Sequence, residues 1–289
     1  NSVRVIGKKA FEYCYGLTSV KLSDNILNLE SSTFYGCEKL KSIEIPNKVV
    51  RIGNHAFYMC SWLKSINVPA SVTSIGDYAF YECPSLTLRN EFKDAKNLER
   101  IGRSAFYGAQ FLAAKEIQAD EDGYAIPIPG RLDLTGVNEI GDYAFFGCAS
   151  IETLMIGNGV EKIGNRVFHS NASLKTVQIS NSVTEMGIRV FYKCEALETV
   201  MIGNGMKEIP DYTFYGCKAL KNVVFATGGG IERVGRYAFR DCVKLSEINF
   251  GDSLKVMDDY SFFGCSGLTE LVIPNTVESI GKYAFRNCS

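Results

Sequence analysis

The sequence predicts an α/β repeat solenoid, and three regularities carry that prediction. Twelve phenylalanines recur along the 289 residues, and eight of the eleven spacings between them are 23 residues. All ten cysteines lie three residues after one of these phenylalanines. A leucine or isoleucine lies six residues after every one of them except the last. Such fixed internal positions are typical of stacked repeats, in which no unit buries its apolar face alone.

We call the recurring phenylalanines the anchors. They are Phe11, Phe34, Phe57, Phe80, Phe106, Phe145, Phe168, Phe191, Phe214, Phe239, Phe262 and Phe285. The three longer spacings follow Phe80, Phe106 and Phe214 and measure 26, 39 and 25 residues. Because the repeat pattern resumes after each longer spacing, we expect the extra residues to form insertions in turns. The stack of repeats should continue unbroken past them.

One half of each repeat predicts a short strand. In Leu40-x-x-Ile43-x-Ile45 the apolar residues end in an alternation of period two. β-branched residues at that period indicate a strand with one buried face. Pro46 follows directly, and proline ends a strand because it has no N–H to donate.

The other half, around the anchor, predicts a short helix or helical turn. Asp, Asn or Ser three residues before the anchor suits a helix N-cap. The candidate caps are Ser31, Asn54, Asp77, Asp142, Asn165, Asp211 and Asp259. A glycine before the cap, such as Gly53, is expected to let the chain turn sharply. Such a helix is too short to be stable in water unless it packs on its neighbours.

The pattern Ile-Gly-x-x-Ala-Phe-x-x-Cys-x-x-Leu-x-x-Ile-x-Ile-Pro resembles the BspA-like, or Treponema-type, class of leucine-rich repeat. The resemblance covers the chain except for an irregular insertion at about 110–137. It implies a right-handed superhelix with a parallel β-sheet on the concave face and short helices or turns on the convex face. It also implies a secreted or cell-surface protein that acts in adhesion or protein contact. The class has no shared catalytic residues to carry over.

The chain is interpreted as one solenoid, residues 1–289, of about twelve repeats. Because it opens and stops in mid-repeat, without the polar caps that solenoids use, we expect a fragment of a longer protein. The net charge of −1 gives no reason to expect nucleic acid as a partner. No apolar run is long enough to span a bilayer.

Catalytic and metal sites are not indicated, and no cofactor is expected. The sequence lacks the spacing of a zinc site or a nucleophile motif, and His55 and His169 lie in different repeats. Disulfides are an alternative for the cysteines in an oxidising compartment. Their common slot in the repeat favours a ladder of buried free thiols that act as small apolar fillers.

The outward positions of the predicted concave sheet are the first candidates for binding. They are Lys21, Glu44, Asn67, Met155, Gln178, Met201, Val224, Asn249 and Val272. Met155, Met201 and Val224 are apolar where solvent is expected, which suits an adaptable contact surface. The alternative is ordinary sheet surface. The flanking charges Glu152, Lys175, Glu198 and Lys221 alternate in sign and predict lateral pairs.

Two further surfaces are weaker candidates. Tyr124, Ile126 and Ile128 are apolar residues of the insertion, and long loops in compact arrays are often functional. Tyrosines flank many anchors, for example Tyr58 and Tyr78, and would serve either interlayer packing or contact with protein or carbohydrate.

The sequence therefore favours a non-catalytic adhesion or interaction module of a secreted or cell-surface protein. A protein partner is expected, with carbohydrate as an alternative, and no nucleic acid. Two other classes stay open: an intracellular scaffold, which the free thiols would suit, and the targeting region of an enzyme whose catalytic domain lies elsewhere.

Overall fold

The computed structural model describes residues 2–88, 95, 97–111, 117–119, 125–127, 131–228 and 230–288. Within these ranges the chain consists of short strands and tight turns, together with a 3-10 helix at Gly251–Ser253. Each repeat forms one layer, which we name after its anchor. No helix in the described ranges is long and apolar enough to cross a membrane.

The strands are two to four residues long. In chain order they are β1 Ser19–Val20, β2 Asn28–Leu29, β3 Ser42–Ile43, β4 Arg51–Ile52, β5 Ser65–Ile66, β6 Ser74–Ile75, β7 Thr87–Leu88, β8 Arg100–Ile101, β9 Gln110–Phe111, β10 Ile117–Ala119, β11 Ala125–Pro127, β12 Arg131–Asp133, β13 Glu139–Ile140, β14 Thr153–Ile156, β15 Lys162–Ile163, β16 Thr176–Ile179, β17 Glu185–Met186, β18 Thr199–Ile202, β19 Glu208–Ile209, β20 Asn222–Phe225, β21 Arg233–Val234, β22 Val256–Met257 and β23 Ser279–Ile280.

Most layers contribute two strands, which stack in parallel on two sides of the solenoid. The first side holds the predicted strands, in the orders β1-β3-β5, β7-β9 and β12-β14-β16-β18-β20. The second side holds strands that end just before the repeat's glycine, in the orders β2-β4-β6-β8-β13-β15-β17 and β19-β21-β22-β23. Among the described strands, only β10 and β11, inside the insertion, pair in antiparallel fashion. The parallel-strand solenoid is therefore confirmed.

The third side consists of turns around the anchors, so the predicted convex helices and the α/β class are not confirmed. In the Phe57 layer, His55 and Met59 have φ of 56° and 58°. Left-handed residues this close together are incompatible with an α-helix. The amide between them bonds outward: the Phe57 N–H donates to the Ala79 carbonyl of the next layer at 2.8 Å. Interlayer hydrogen bonds therefore set the conformation of these turns.

Six of the seven predicted helix caps accept a hydrogen bond from the next layer instead of capping a helix in their own layer. The Asn54 Oδ1 accepts the Asp77 N–H at 3.1 Å, and the Asp77 Oδ1 accepts the Arg103 N–H at 3.0 Å. The same kind of bond recurs at Asp142, Asn165, Asp211 and Asp259. A short polar side chain at this position therefore satisfies a backbone donor of the following layer.

The glycine that precedes most of these caps is required by close packing of the layers and not by a sharp turn. A Cβ built on Gly76 would lie 2.6 Å from the backbone nitrogen of Asn54, a distance that real Cβ atoms do not show. Pro210 replaces this glycine in the Phe214 layer. Since proline has no N–H for the ladder, the second side divides there, between β17 and β19.

The anchors form a continuous stack through the core. Successive ring centroids lie 5.0 to 5.6 Å apart. The anchors from Phe34 to Phe262 are fully buried. Stacked aromatic rings of this kind contribute both apolar burial and a preference for one layer spacing.

The cysteines form a second ladder, and all ten are free thiols. Each buried thiol donates to the carbonyl of the preceding anchor, as from Cys194 Sγ to the Phe168 oxygen at 3.1 Å. The prediction of apolar fillers was therefore incomplete. Asn171, which occupies a cysteine slot, makes the same bond with its Nδ2 to the Phe145 oxygen at 2.9 Å. The slot therefore holds a buried donor in most layers, whereas in the Phe106 layer it holds Ala109, an apolar filler.

The first side changes after β20. Residues 153–225, which we call the closed stretch, carry the four-residue strands β14, β16, β18 and β20. Residues 246–274, which we call the open stretch, span the equivalent part of the next two layers, and their first-side positions, 246–250 and 269–273, form no strands. The second side continues through the same layers, as β19 pairs with β21 and β21 with β22.

Candidate functional site

The predicted binding positions lie on the solvent face of the first side. We call this line of residues the outer row. Met155, Gln178, Met201 and Val224 are register partners in four adjacent strands. Neighbouring strands lie about 4.8 Å apart, so these side chains form a continuous strip. Asp133, the partner of Met155 in β12, extends this strip and was missed by the sequence analysis. Its repeat is irregular, which hid the register.

The middle of the outer row is apolar and its flanks are polar. Met201 is 39% exposed and Val224 is 52% exposed. Threonines or asparagine lie two residues before each member of the strip, at Thr153, Thr176, Thr199 and Asn222. Beyond them lie the predicted lateral ion pairs, which are confirmed for Lys175 with Glu152 at 2.7 Å and for Lys221 with Glu198 at 3.2 Å. The charges along this flank are neutralised pairwise.

The structure separates the N-terminal members of the outer row from this strip. Lys21 and Glu44 are exposed, and the strands before them belong to a different sheet, β1-β3-β5. Asn67 is committed to the fold: its Oδ1 accepts the Ile45 N–H at 2.9 Å and its Nδ2 donates to the Ile45 carbonyl at 3.1 Å. An amide with both ends bonded is a poor contact group for a ligand.

Asn249 and Val272, the last two members, lie in the open stretch. Together with Val224 they line a groove of about 970 Å³ between strand β20 and the loops 246–252 and 269–274. Its inner wall is aromatic, because the rings of Phe225 and Phe250 lie 5.3 Å apart. The sequence-based prediction therefore found residues of this groove without predicting the groove itself.

The acidic residues of the groove were also missed. Its lining includes Glu247, Asp252 and Glu270 and contains no Lys, Arg or His. Glu247 and Glu270 occupy the column that holds threonines or asparagine in the closed stretch. An alignment of the repeats on their anchors would have shown this change from threonine or asparagine to glutamate.

The insertion candidates are mostly not testable in the described part of the chain. Tyr124 and Ile128 lie outside the described residues. Ile126 lies in strand β11, whose backbone pairs with β10. The contact role of these three residues stays a prediction.

The tyrosines around the anchors pack on one another between layers. The rings of Tyr35 and Tyr58 stack at 4.8 Å, and those of Tyr192 and Tyr215 stack at 4.7 Å. His169 continues this row, 4.6 Å from Phe146 and 4.7 Å from Tyr192. Ring faces that are covered by neighbouring rings are not free to stack on a sugar.

His169 of the aromatic row and Cys194 of the thiol ladder are kept neutral at neutral pH. Burial, together with the charges of Arg166, Arg189 and Lys193, lowers the pKa of His169 to about 4. Burial raises the pKa of Cys194 to about 12, so its thiol is not a nucleophile at neutral pH. In the described ranges, no group of three or more His, Cys, Asp or Glu side chains is arranged to hold a metal ion.

Comparison with protein-family models decides the family. The model described as the BspA type leucine rich repeat region matches in six copies, over residues 1–113, 138–268 and 189–289. The chain belongs to this family. The search of the curated proteins found no match. Proteins built from leucine-rich repeats are generally protein-interaction modules, and no enzymatic family is indicated.

Solved structures of leucine-rich repeat proteins are similar to this chain. The structure from Bacteroides ovatus is 25% identical in sequence and has a TM-score of 0.56. Its alignment covers 99% of this chain and 80% of the Bacteroides ovatus chain. The structure from Eubacterium ventriosum is also 25% identical, with a TM-score of 0.56. Its alignment covers 99% of this chain and 81% of the Eubacterium ventriosum chain. A leucine rich cell surface protein from Faecalibacterium prausnitzii is 24% identical, with a TM-score of 0.45. The alignment covers 99% of this chain and 67% of the Faecalibacterium prausnitzii chain.

Proposed function

We propose that this protein is a non-catalytic binding module that contacts a partner protein through the outer row of the closed stretch. The observation that carries the proposal is the strip of Met155, Gln178, Met201 and Val224 in register on the solvent face. In this strip Met201 and Val224 are exposed and Met155 is half-buried. Apolar side chains in one line, flanked by threonines and neutralised ion pairs, suit a protein interface with an apolar centre and a polar rim.

The same reasoning favours protein over carbohydrate as the ligand. Methionine side chains adapt to different apolar partners. Sugar-binding sites depend on open aromatic faces, whereas the aromatic rows that flank the anchors are stacked on themselves and the exposed Trp62 lies outside the closed stretch. A carbohydrate ligand is an outcome that the experiment below can detect.

We also propose that the module is secreted or displayed at a cell surface and acts in adhesion. Membership of the BspA-type family supports this proposal. The free thiols do not favour the intracellular alternative. The thiol of Cys194 is fully buried and its pKa is raised to about 12, and thiols in this state resist oxidation because oxidation proceeds through the thiolate.

A pair of charge substitutions tests the contact surface. Ligands are selected on the wild-type protein from a displayed library of peptides and small domains, and a glycan array is screened in parallel. We expect most selected protein ligands to lose at least about tenfold in affinity for Met155→Asp/Met201→Asp, because an interface centre tolerates buried unpaired charge poorly.

The matched control is Val50→Asp/Ile188→Asp, which places the same charges at two exposed apolar residues outside the outer row. Ligands should bind this variant as they bind wild type, and thermal unfolding should show both variants to be folded. Ligands that bind Met155→Asp/Met201→Asp with unchanged affinity would contradict the proposal. A response on the glycan array alone would replace protein with carbohydrate.

A further inference from the structure

The groove between β20 and the open stretch contains an unpaired strand edge. Strand β20 pairs with β18 along Asn222–Phe225. In the described part of the chain, no backbone hydrogen bond joins β20 to residues 246–250, or those residues to 269–273. The preceding strands β14, β16 and β18 are paired on both sides. One edge of a parallel sheet therefore faces the groove.

The register identifies the groups on this edge. The N–H groups of Asn222 and Ala226 donate to the Glu198 and Ile202 carbonyls, toward β18. Because successive residues of a strand point their backbone groups to opposite sides, those of Val223 and Phe225 point into the groove. Backbone donors and acceptors are obligatory hydrogen-bonding groups, so this edge is a template for another strand.

The opening is confined to one side of the layers that form it. The anchors Phe214, Phe239 and Phe262 stay stacked at 5.2 and 5.1 Å. On the second side, β19, β21 and β22 remain paired. The groove, which we call the slot from here on, therefore has a fixed back wall. Its volume of about 970 Å³ is large enough for several residues of extended chain.

The sequence of the open stretch explains why the layers do not close the slot themselves. The column that reads Thr153, Thr176, Thr199 and Asn222 in the closed stretch continues as Glu247 and Glu270. Threonine is favoured in strands and glutamate is not, so this change weakens strand formation in these two layers. The turn after β20 is also two residues longer than the regular one, since the anchors on either side of it are 25 residues apart instead of 23.

The same carboxylates define what the slot would accept. Neither Glu247 nor Glu270 has an ion-pair partner among the described residues. The lining contributes three acidic residues and no Lys, Arg or His. A cation held in the slot would meet these carboxylates, while Ile248 and Phe250, which also line the slot, offer apolar contact.

We propose that this slot binds an extended segment of a partner protein by strand addition. The segment pairs its backbone with Val223 and Phe225 of β20. It places a lysine or arginine beside Glu247 and Glu270, and its apolar neighbours lie against Ile248 and Phe250. This inference names a partner chemistry for the proposed binding module and so rests on the proposed function, but its site is separate from Met155 and Met201.

A synthetic peptide tests the chemistry. A short blocked peptide in which valine alternates with lysine is titrated with the full chain, and binding is followed by fluorescence anisotropy. We expect Glu247→Gln/Glu270→Gln to weaken its binding at least about tenfold and to reduce its dependence on salt. Glu161→Gln/Glu185→Gln, which removes two exposed carboxylates elsewhere, should leave its affinity unchanged.

Two control peptides separate charge from strand pairing. Replacing lysine with glutamate should abolish binding because the slot is acidic. Replacing valine with proline keeps the positive charge but removes backbone donors, and it should also abolish binding. Hydrogen exchange should show protection of the Val223 and Phe225 amides only with the valine–lysine peptide.

The outcomes distinguish this inference from the proposed function. Unchanged binding to Glu247→Gln/Glu270→Gln, or equal binding of the proline peptide, would overturn strand addition in the slot. Protection of the same amides by concentration-dependent self-association would assign the slot to a second copy and would also overturn the proposal. Neither methionine lines the slot, and the added carboxylates attract a cationic peptide, so the peptide should bind Met155→Asp/Met201→Asp at least as tightly as wild type, and failure of the outer row leaves this result intact.

Discussion

The closed and open stretches are built from the same repeat but differ in which contacts they keep. In the closed stretch, the first side and the turns around the anchors bond each layer to the next, while the second side is interrupted at Pro210, between β17 and β19. In the open stretch, the second side and the anchor stack persist, whereas the strands of the first side are absent. The cysteine ladder also continues, as Cys242 Sγ donates to the Phe214 carbonyl at 3.1 Å. The inner ladders therefore do not depend on the first sheet.

The comparison teaches that the core and the surface of this solenoid are specified separately. The anchors, the thiols and the close-packed glycines set the layer spacing from inside. The column of Thr153, Thr176 and Thr199 favours strands at the surface, and the column of Glu247 and Glu270 weakens them. A functional surface can thus change along the stack without disturbing the core.

The largest expected effect tests whether the anchor stack is equally strong in both stretches. Phe191→Ala and Phe239→Ala should each lower the free energy of unfolding by about 3–5 kcal/mol, because both rings are fully buried in the same ladder. Urea unfolding followed by circular dichroism measures the loss. Phe225→Ala, at a half-buried ring that lines the slot, should cost clearly less.

A much smaller loss for Phe239→Ala than for Phe191→Ala would contradict the independence of the inner stack. It would mean that the anchors weaken wherever the first sheet is missing.

A smaller effect tests the donor ladder in the same way. Asn171→Ala and Cys242→Ala should each cost about 1–3 kcal/mol, because each leaves a buried anchor carbonyl without its side-chain donor. Asn171→Cys should be at least as stable as wild type. It keeps a donor and removes the Asn171 Oδ1, a buried oxygen that has no hydrogen-bond partner. Thermal and urea unfolding check these values, and a destabilised Asn171→Cys would sink the donor interpretation.

The smallest effect concerns pH and is confined to the closed stretch. The pKa of His169 is about 4 in the folded protein, below the ordinary value of 6.5. The unfolded chain therefore binds the proton first, and stability is lost as the pH falls from about 6.5 to about 4. Because solvent screens this half-exposed ring, we expect a loss of about 1–2 kcal/mol.

His169→Phe should remove this component and keep the aromatic row, since the equivalent position is already Phe146 in the preceding layer. Urea unfolding at neutral pH and near pH 4.5 makes the comparison. The layers of the open stretch carry Arg240 and Phe263 at this position and so contribute no such titration. An unchanged pH dependence in His169→Phe would rule His169 out as its source.

The sequence specified the solenoid because a period constrains the core directly. Like side chains must stack on like, so the spacing of the anchors predicted the layers, the parallel strands and the free-thiol ladder. It also placed Met155, Gln178, Met201 and Val224 on one face, because alternation along each strand decides which side chains point outward.

The turn conformation and the slot depended on the tertiary structure. Local propensity at Asn54 or Asp77 favours a helix cap. In the structure, however, the side-chain oxygen of each accepts a backbone N–H of the next layer, and the amides of the turns also bond between layers. A helix satisfies its amides internally, whereas here the stack satisfies them between layers. The slot arises because the second side and the anchor stack hold the layers together while Glu247 and Glu270 weaken strand formation on the first side. That balance exists only once the layers are assembled.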